Sequence, residues 1–178
     1  MAKELGLEQA RAPFRESARL EERMKHVETV ARALAEVRDK VDDKQILKHL
    51  LKELYSLVTD YPNKYGIRYR SKAVVNGGNP VIHEHVVPRN WITDSILHTG
   101  SVEAMRGLLV ACLVTEDEHR RLHRAETSRP EEPSLELGWE RYRTLVPPID
   151  VYDMAGASGA GDRPEWIESF EGAEHVRD

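Results

Sequence analysis

The spacing of apolar residues changes near residue 60, from helical steps to the alternation of strands, so the chain is expected to be α+β. From Ser17 to about Lys40, Val27, Val30, Leu34, Val37 and Val41 recur at steps of three and four and form one stripe. Asp42-Asp43 breaks the run, and Asp43 is placed to cap a second helix. That helix carries Ile46, Leu47, Leu50, Leu51, Leu54 and Leu57 on its apolar face. Residues 1–63 are therefore expected to form an N-terminal helical hairpin, with packing or contact with a homodimer or protein partner as its role. Beyond the turn at 61–66, Ile67–Val75 and Val81–Val87 are β-rich and flank Asn76-Gly77-Gly78-Asn79-Pro80. Together they predict a β-hairpin, ended by Pro88 because proline cannot donate to a ladder.

Residues 90–100 read as a linking segment, and Ser101 as the N-cap of a helix with Val102, Met105, Leu108 and Leu109. Val110-Ala111-Cys112-Leu113-Val114 is an unbroken apolar run, expected as a buried connector. Thr115-Glu116-Asp117-Glu118 has the form of a capping box, so a short helix should start at Glu116 and carry His119, Leu122 and His123. Residues 125–178 look irregular. Trp139, Tyr142 and Leu145 are expected to pack on the body, Ile149–Tyr152 to be extended, and 155–161 to be a glycine-rich linker. Trp166, Ile167 and Phe170 are candidate anchors in the acidic tail.

Cys112 is the single cysteine, which excludes an internal disulfide framework and a cysteine-rich zinc knuckle. Mean hydropathy is −0.58, and no apolar run approaches the ~18 residues of a membrane span. The charged first 25 residues contain no secretory apolar stretch, so the expected location is cytoplasmic, without a membrane partner. The net charge of −5 argues against a protein that coats nucleic acid indiscriminately. The charge is uneven, however. Residues 64–124 hold nine basic and six acidic side chains, whereas 125–178 hold five basic and thirteen acidic. A phosphate-contacting surface is expected in the middle segment, with Arg68, Arg70, Lys72, Arg89, Arg120, Arg121 and Arg124 as candidates. The acidic tail is expected to dampen DNA binding.

Two clusters could carry chemistry: His83-Glu84-His85 at the end of the second strand, and His119-x-x-x-His123 on the capped helix. In a strand Glu84 faces away from His83 and His85, but neighbouring side chains can meet at a strand end. His119 and His123 share a helix face. One carboxylate and two imidazoles make three ligands with open positions, which suits a catalytic divalent metal. A remaining histidine is then available as a general base near neutral pH.

Residues 67–124 resemble the HNH, or ββα-metal, nucleases. The specific parts are Glu84-His85-Val86-Val87-Pro88, similar to that family's acid-His-apolar-apolar-Pro segment, and Leu113-Val114-Thr115-Glu116-Asp117-Glu118-His119, similar to the entry to its metal helix. Tyr69–Val75 and Trp139-Glu140-Arg141-Tyr142-Arg143 are similar to flanks of HNH-like proteins. The resemblance implies an HNH-like ββα-metal core at 64–124, followed by a C-terminal packing segment and acidic tail at 125–178. It implies Glu84, His119 and His123 as ligands of one divalent metal ion (Mg²⁺, Mn²⁺, Ni²⁺ or Zn²⁺) and His85 as the base that activates water. The implied activity is endonucleolytic hydrolysis of DNA. Where the family carries an Asn shortly before its second segment, this sequence has Ala111, while Asn90 lies just after Pro88. Two other readings compete: a catalytically weak or inactive ββα module that binds nucleic acid or protein, and a zinc-stabilised structural protein assembled through its N-terminal helices.

Overall fold

The apolar run expected as a connector, Val110–Val114, forms most of an interior strand of a sheet. Strand β3 (Ala111–Thr115) pairs antiparallel with β2 (Val81–His85) and parallel with β1 (Tyr69–Ser71). Ladders on both edges and cover on both faces explain why Ala111, Cys112, Leu113 and Val114 are all buried and show no polar alternation. The computed structural model describes residues 7–12, 14, 18–59, 67–103, 105–125, 130, 132–155 and 165–170. The turn expected at 61–66, most of the glycine-rich stretch and the acidic residues 171–178 lie outside the described residues.

The described elements give a mixed α+β fold. Helices α1 (Leu7–Arg11), α2 (Leu20–Glu36) and α3 (Lys44–Thr59) precede β1. Helix α4 (Lys72–Val75) separates β1 from β2, and α5 (Arg89–Thr99) and α6 (Met105–Leu108) separate β2 from β3. Helices α7 (Glu116–Arg124) and α8 (Leu135–Arg143) follow, then β4 (Val151–Asp153) and β5 (Glu168–Ser169). The sheet order is β2-β3-β1-β4-β5, which leaves β2 at an edge.

The expected β-hairpin is corrected by this topology. Ile67–Val75 yields only the three residues of β1 before Ser71 caps α4, its hydroxyl accepting from Val74 N at 3.2 Å. The strand that pairs with β2 is β3, more than twenty residues further along, so the antiparallel pair beside α7 is β2–β3. Residues 90–100 are not a linker either. They belong to α5, which buries Trp91, Ile92 and Ile96 and ends at Gly100, whose φ of 74° is the left-handed cap conformation. Ser101 caps no helix, since α6 begins at Met105.

The two N-terminal helices pack as expected, but on a rotated face. Helix α2 buries Met24, Val27, Ala31 and Ala35, while Val30 and Val37 stay exposed. Helix α3 begins one residue after Asp43, whose side chain accepts from Gln45 N at 2.9 Å. It buries Leu47, Leu51, Tyr55 and Val58 and leaves Ile46 and Leu50 outside. Met24, Val27, Ala31 and Ala35 of α2 and Leu51, Tyr55 and Val58 of α3 form one core with α5, α6 and Val87. A second core joins Tyr69, Cys112, Val114 and Leu122 to Trp139 and Tyr142 of α8.

The C-terminal region is more regular than its composition suggests. Ser134 caps α8, β4 pairs antiparallel with β1, and β5 pairs parallel with β4. Ile167 is 1% exposed, Trp166 meets Trp139 edge-on with ring centroids 6.1 Å apart, and Phe170 meets Tyr152 at 5.5 Å. Residues 165–170 are thus part of the folded body rather than a loose tail. Among the described residues, no helix is long and apolar enough to cross a membrane.

Candidate functional site

Strand alternation sends Glu84 to one face of the sheet and His83 and His85 to the other. In register, Glu84 lies opposite Cys112 on the face covered by α7 and α8, while His85 lies opposite Ala111. Because β2 is an edge strand, side chains from both faces reach around its free edge. His83, Glu84 and His85 line one open cavity of about 310 Å³ together with Pro88, Arg89, Asn90, Lys52, His119, His123 and Arg141.

Helix α7 brings the second cluster to the first. Thr115 is both the last residue of β3 and the N-cap of α7, so the helix folds straight back along β2. The capping box is complete: Glu118 N donates to Thr115 Oγ1 at 3.3 Å, and Thr115 N donates to Glu118 Oε2 at 2.8 Å. The same Oε2 accepts from Ser71 Oγ at 2.7 Å, which ties the first turn of α7 to the end of β1. One turn on, His119 Nδ1 lies 2.8 Å from Glu84 Oε2, and the His119 and His123 rings meet edge to face at 4.6 Å.

Glu84, His119 and His123 each offer a ligand atom, and these atoms all lie within 4.8 Å of one another. Ligands at about 2.1 Å from one ion stand within about 4 Å of each other, so the trio is near ligand spacing as it stands. The donor set, one carboxylate oxygen and two imidazole nitrogens, suits a borderline divalent ion. Glu84 is buried, His119 half-buried and His123 exposed, so the cluster opens to solvent on the His123 side.

His85 is 8% exposed, and its Nε2 lies 3.1 Å from Thr59 Oγ1 at the end of α3. Its ring stacks on His83 with centroids 4.7 Å apart. Burial, then His83, then Arg89 push the His85 pKa down to about 3; burial and Arg89 push His83 down to about 4. Both rings are therefore neutral at pH 7.

Arg141 is a member of the site that the sequence marked only as part of a flanking string, without a role. Its Nη2 donates to Glu84 Oε1 at 3.3 Å, and its Nη1 donates to Val86 O at 3.0 Å and His85 O at 3.4 Å. The Glu84 carboxylate is thus shared between Arg141 and His119. The available signal was spacing: Gly138, Arg141 and Tyr142 stand at i, i+3 and i+4, on a face that must pack. Gly138 permits this approach, because a Cβ there would lie 2.8 Å from Val86 O. Lys52 and Thr59 carried no local signal, since α3 reads as a packing helix.

The expected phosphate-contacting residues divide. Arg89 lines the cavity and is held by Lys52 O at 3.2 Å and Ser56 Oγ at 3.1 Å. Arg70 is corrected: its side chain is fully buried, and Nη1 donates to Gln9 O and Ala10 O, so it offers no surface to nucleic acid. Arg68 forms two bonds to the buried Asp153 carboxylate at 2.7 and 2.9 Å, and Lys72 faces Asp150 at 3.8 Å. Arg120 pairs with Glu116 at 2.5 Å, Arg121 donates to Pro147 O, and Arg124 is exposed. Of this group, only Arg89 is among the residues that line the cavity.

No family model, curated protein or solved structure matches the chain.

Proposed function

We propose that this protein is a metal-dependent endonuclease of the ββα-metal type that hydrolyses DNA phosphodiester bonds. The observation that carries the reading is the meeting of Glu84, His119 and His123 at ligand spacing in the same open cavity as a neutral histidine, His85. The β2–β3 pair followed directly by α7 supports a ββα core, although it forms from strands other than the adjacent pair expected from the sequence.

Glu84, His119 and His123 would hold one divalent ion, which when bound supplies positive charge against the charge that builds on the phosphoryl oxygens. The chain's own residues do the rest. Arg141 fixes the Glu84 carboxylate and the strand end behind it. Neutral His85 accepts a proton from water, the step that makes a nucleophile without a second metal. Arg89 and Lys52, at the cavity wall, attract and orient the phosphate.

A second reading, a ββα module with weak or no catalysis, draws on one observation. The residue opposite His85 on β3 is Ala111, which offers the base no polar side chain. The deciding experiment incubates supercoiled plasmid with Mg²⁺, Mn²⁺, Ni²⁺ or Zn²⁺ and wild-type protein beside His85→Ala. Metal-dependent nicking by the wild type and none by the variant is expected. Equal cleavage by both removes His85 from the chemistry, and no cleavage with any of the four metals favours the binding module.

A further inference from the structure

We propose that Thr59 is a positioning residue for His85: its hydroxyl accepts a hydrogen bond from His85 Nε2–H, so that the neutral ring carries its proton at Nε2 and keeps Nδ1 as an open acceptor. The functional consequence rests on the nuclease reading, because an open Nδ1 is what a proton-accepting His85 needs.

The argument starts from a count of hydrogens. A threonine hydroxyl has one hydrogen to donate and lone pairs to accept with. Thr59 ends α3, and its Oγ1 lies 3.0 Å from Tyr55 O, the back-bond a threonine makes to the carbonyl one turn earlier. With the hydroxyl hydrogen on Tyr55 O, the 3.1 Å approach to His85 Nε2 is made by the ring N–H to the oxygen. The ordinary preference of a neutral imidazole for its proton on Nε2 runs the same way. Thr59 is 9% exposed and His85 8%, so little water competes for either group. In that setting a misplaced proton would leave a buried polar atom unsatisfied.

The arrangement also accounts for the apolar residue opposite the base. Ala111 faces His85 across the β2–β3 ladder and cannot orient it. Orientation instead comes from α3, an element whose sequence suggests only packing. Helix α3 thereby reaches the site through the Thr59 hydroxyl as well as through its bonds to Arg89.

The test uses the full chain labelled with ¹⁵N-histidine, without added metal at pH 7.5, read by two-bond ¹H–¹⁵N correlation and assigned by loss of the signal in His85→Ala. The wild type and Thr59→Ser are expected to show His85 as the Nε2–H form. Thr59→Val, close in shape but without the hydroxyl, is expected to show a mixture or the Nδ1–H form. On plasmid DNA with metal, Thr59→Val should lose about ten-fold in kcat with KM nearly unchanged, the worth of one neutral hydrogen bond, and Thr59→Ser should recover it. An Nδ1–H signature in the wild type, or a Thr59→Val spectrum identical to wild type, overturns the assignment. If Thr59→Val does not fold, the wild-type and Thr59→Ser spectra decide it. Cleavage as fast in folded Thr59→Val as in wild type overturns the positioning role and leaves the nuclease reading standing. The Nε2–H signature, lost in Thr59→Val, in a protein that never cleaves supports the bond and overturns the nuclease reading instead.

Discussion

Arg141 Nη2 lies 3.3 Å from Glu84 Oε1, and the two side chains, on α8 and β2, are 7% and 9% exposed. Each is the other's buried counter-charge. Removing the cation alone strands a carboxylate and two strand-end carbonyls, a loss of about 3 kcal/mol. Arg141→Leu is therefore expected to lower the urea midpoint sharply, and adding Glu84→Gln to recover part of it. An unchanged midpoint in Arg141→Leu would show that the pair contributes nothing to the fold.

Glu84→Gln and His119→Ala each remove one ligand from the proposed metal site. Glu84→Gln retains an oxygen for Arg141, so its fold should persist. Each variant is expected to lose roughly 100-fold in affinity for Zn²⁺ or Mn²⁺ by calorimetric titration, at the top of the range seen when even a supporting partner is removed. Wild-type affinity in either variant takes that residue out of the site.

Acid should weaken the protein through its stacked histidine pair. The native pKa values of His83 and His85 are pushed down to about 4 and about 3, while an unfolded histidine titrates near ~6.5. Below that value the unfolded chain binds protons that the native rings refuse. The neutral pair's contribution is complete above about pH 6.5 and is lost as pH falls toward 4, at roughly 1.4 kcal/mol per pH unit for each ring. Urea midpoints between pH 7.5 and 4.5 should fall less steeply for His83→Gln/His85→Gln than for the wild type. Parallel curves would mean that the two rings titrate normally.

Truncation separates the packing of residues 165–170 from the charge of residues 171–178. A chain stopped at Ala155 loses Ile167 from the core and β5 from the sheet edge. Burial of one such side chain is worth about 2–4 kcal/mol, so this form should melt well below the full protein. A chain stopped at Phe170 removes Glu171, Glu174, Arg177 and Asp178, a net charge of −2, and retains every described element. Low-salt DNA binding is expected to tighten in that second form; if it does not, those residues do not compete for the proposed phosphate contacts of Arg89 and Lys52.

Local chemistry is read well from this sequence, and long-range partnership poorly. The cap at Asp43 and the Thr115 capping box each depend on a few adjacent residues and lie where the pattern puts them, and the strand expected at Val81–Val87 forms over Val81–His85. The pairing of β2 depends instead on β3, reached only after α5 and α6, and a neighbouring turn signal suggested the wrong partner. Ala111–Val114 had the composition of a strand buried on both faces, but an apolar run has no period of its own to distinguish strand from connector. For the candidate site, the two histidine clusters were visible as motifs. Arg141 stood only within a flanking string, and Thr59 in no motif, because an arginine on a packed helix face and a threonine at a helix end have ordinary local roles.

The order of strands in the sheet has a consequence for how the protein comes into being. Its central pairings join Tyr69 to Cys112 and Arg70 to Tyr152, across loops whose closure entropy is met before any contact rewards it. A ribosome delivers Glu84 and both strand-end histidines long before Arg141 emerges to neutralise the carboxylate. Without α8, Glu84 lacks its buried cation and the carbonyls of His85 and Val86 lose the donor that Arg141 supplies. The site is therefore complete only once α8 has been made, so nascent or clipped chains ending before Arg141 should lack an ordered centre and the activity proposed for it.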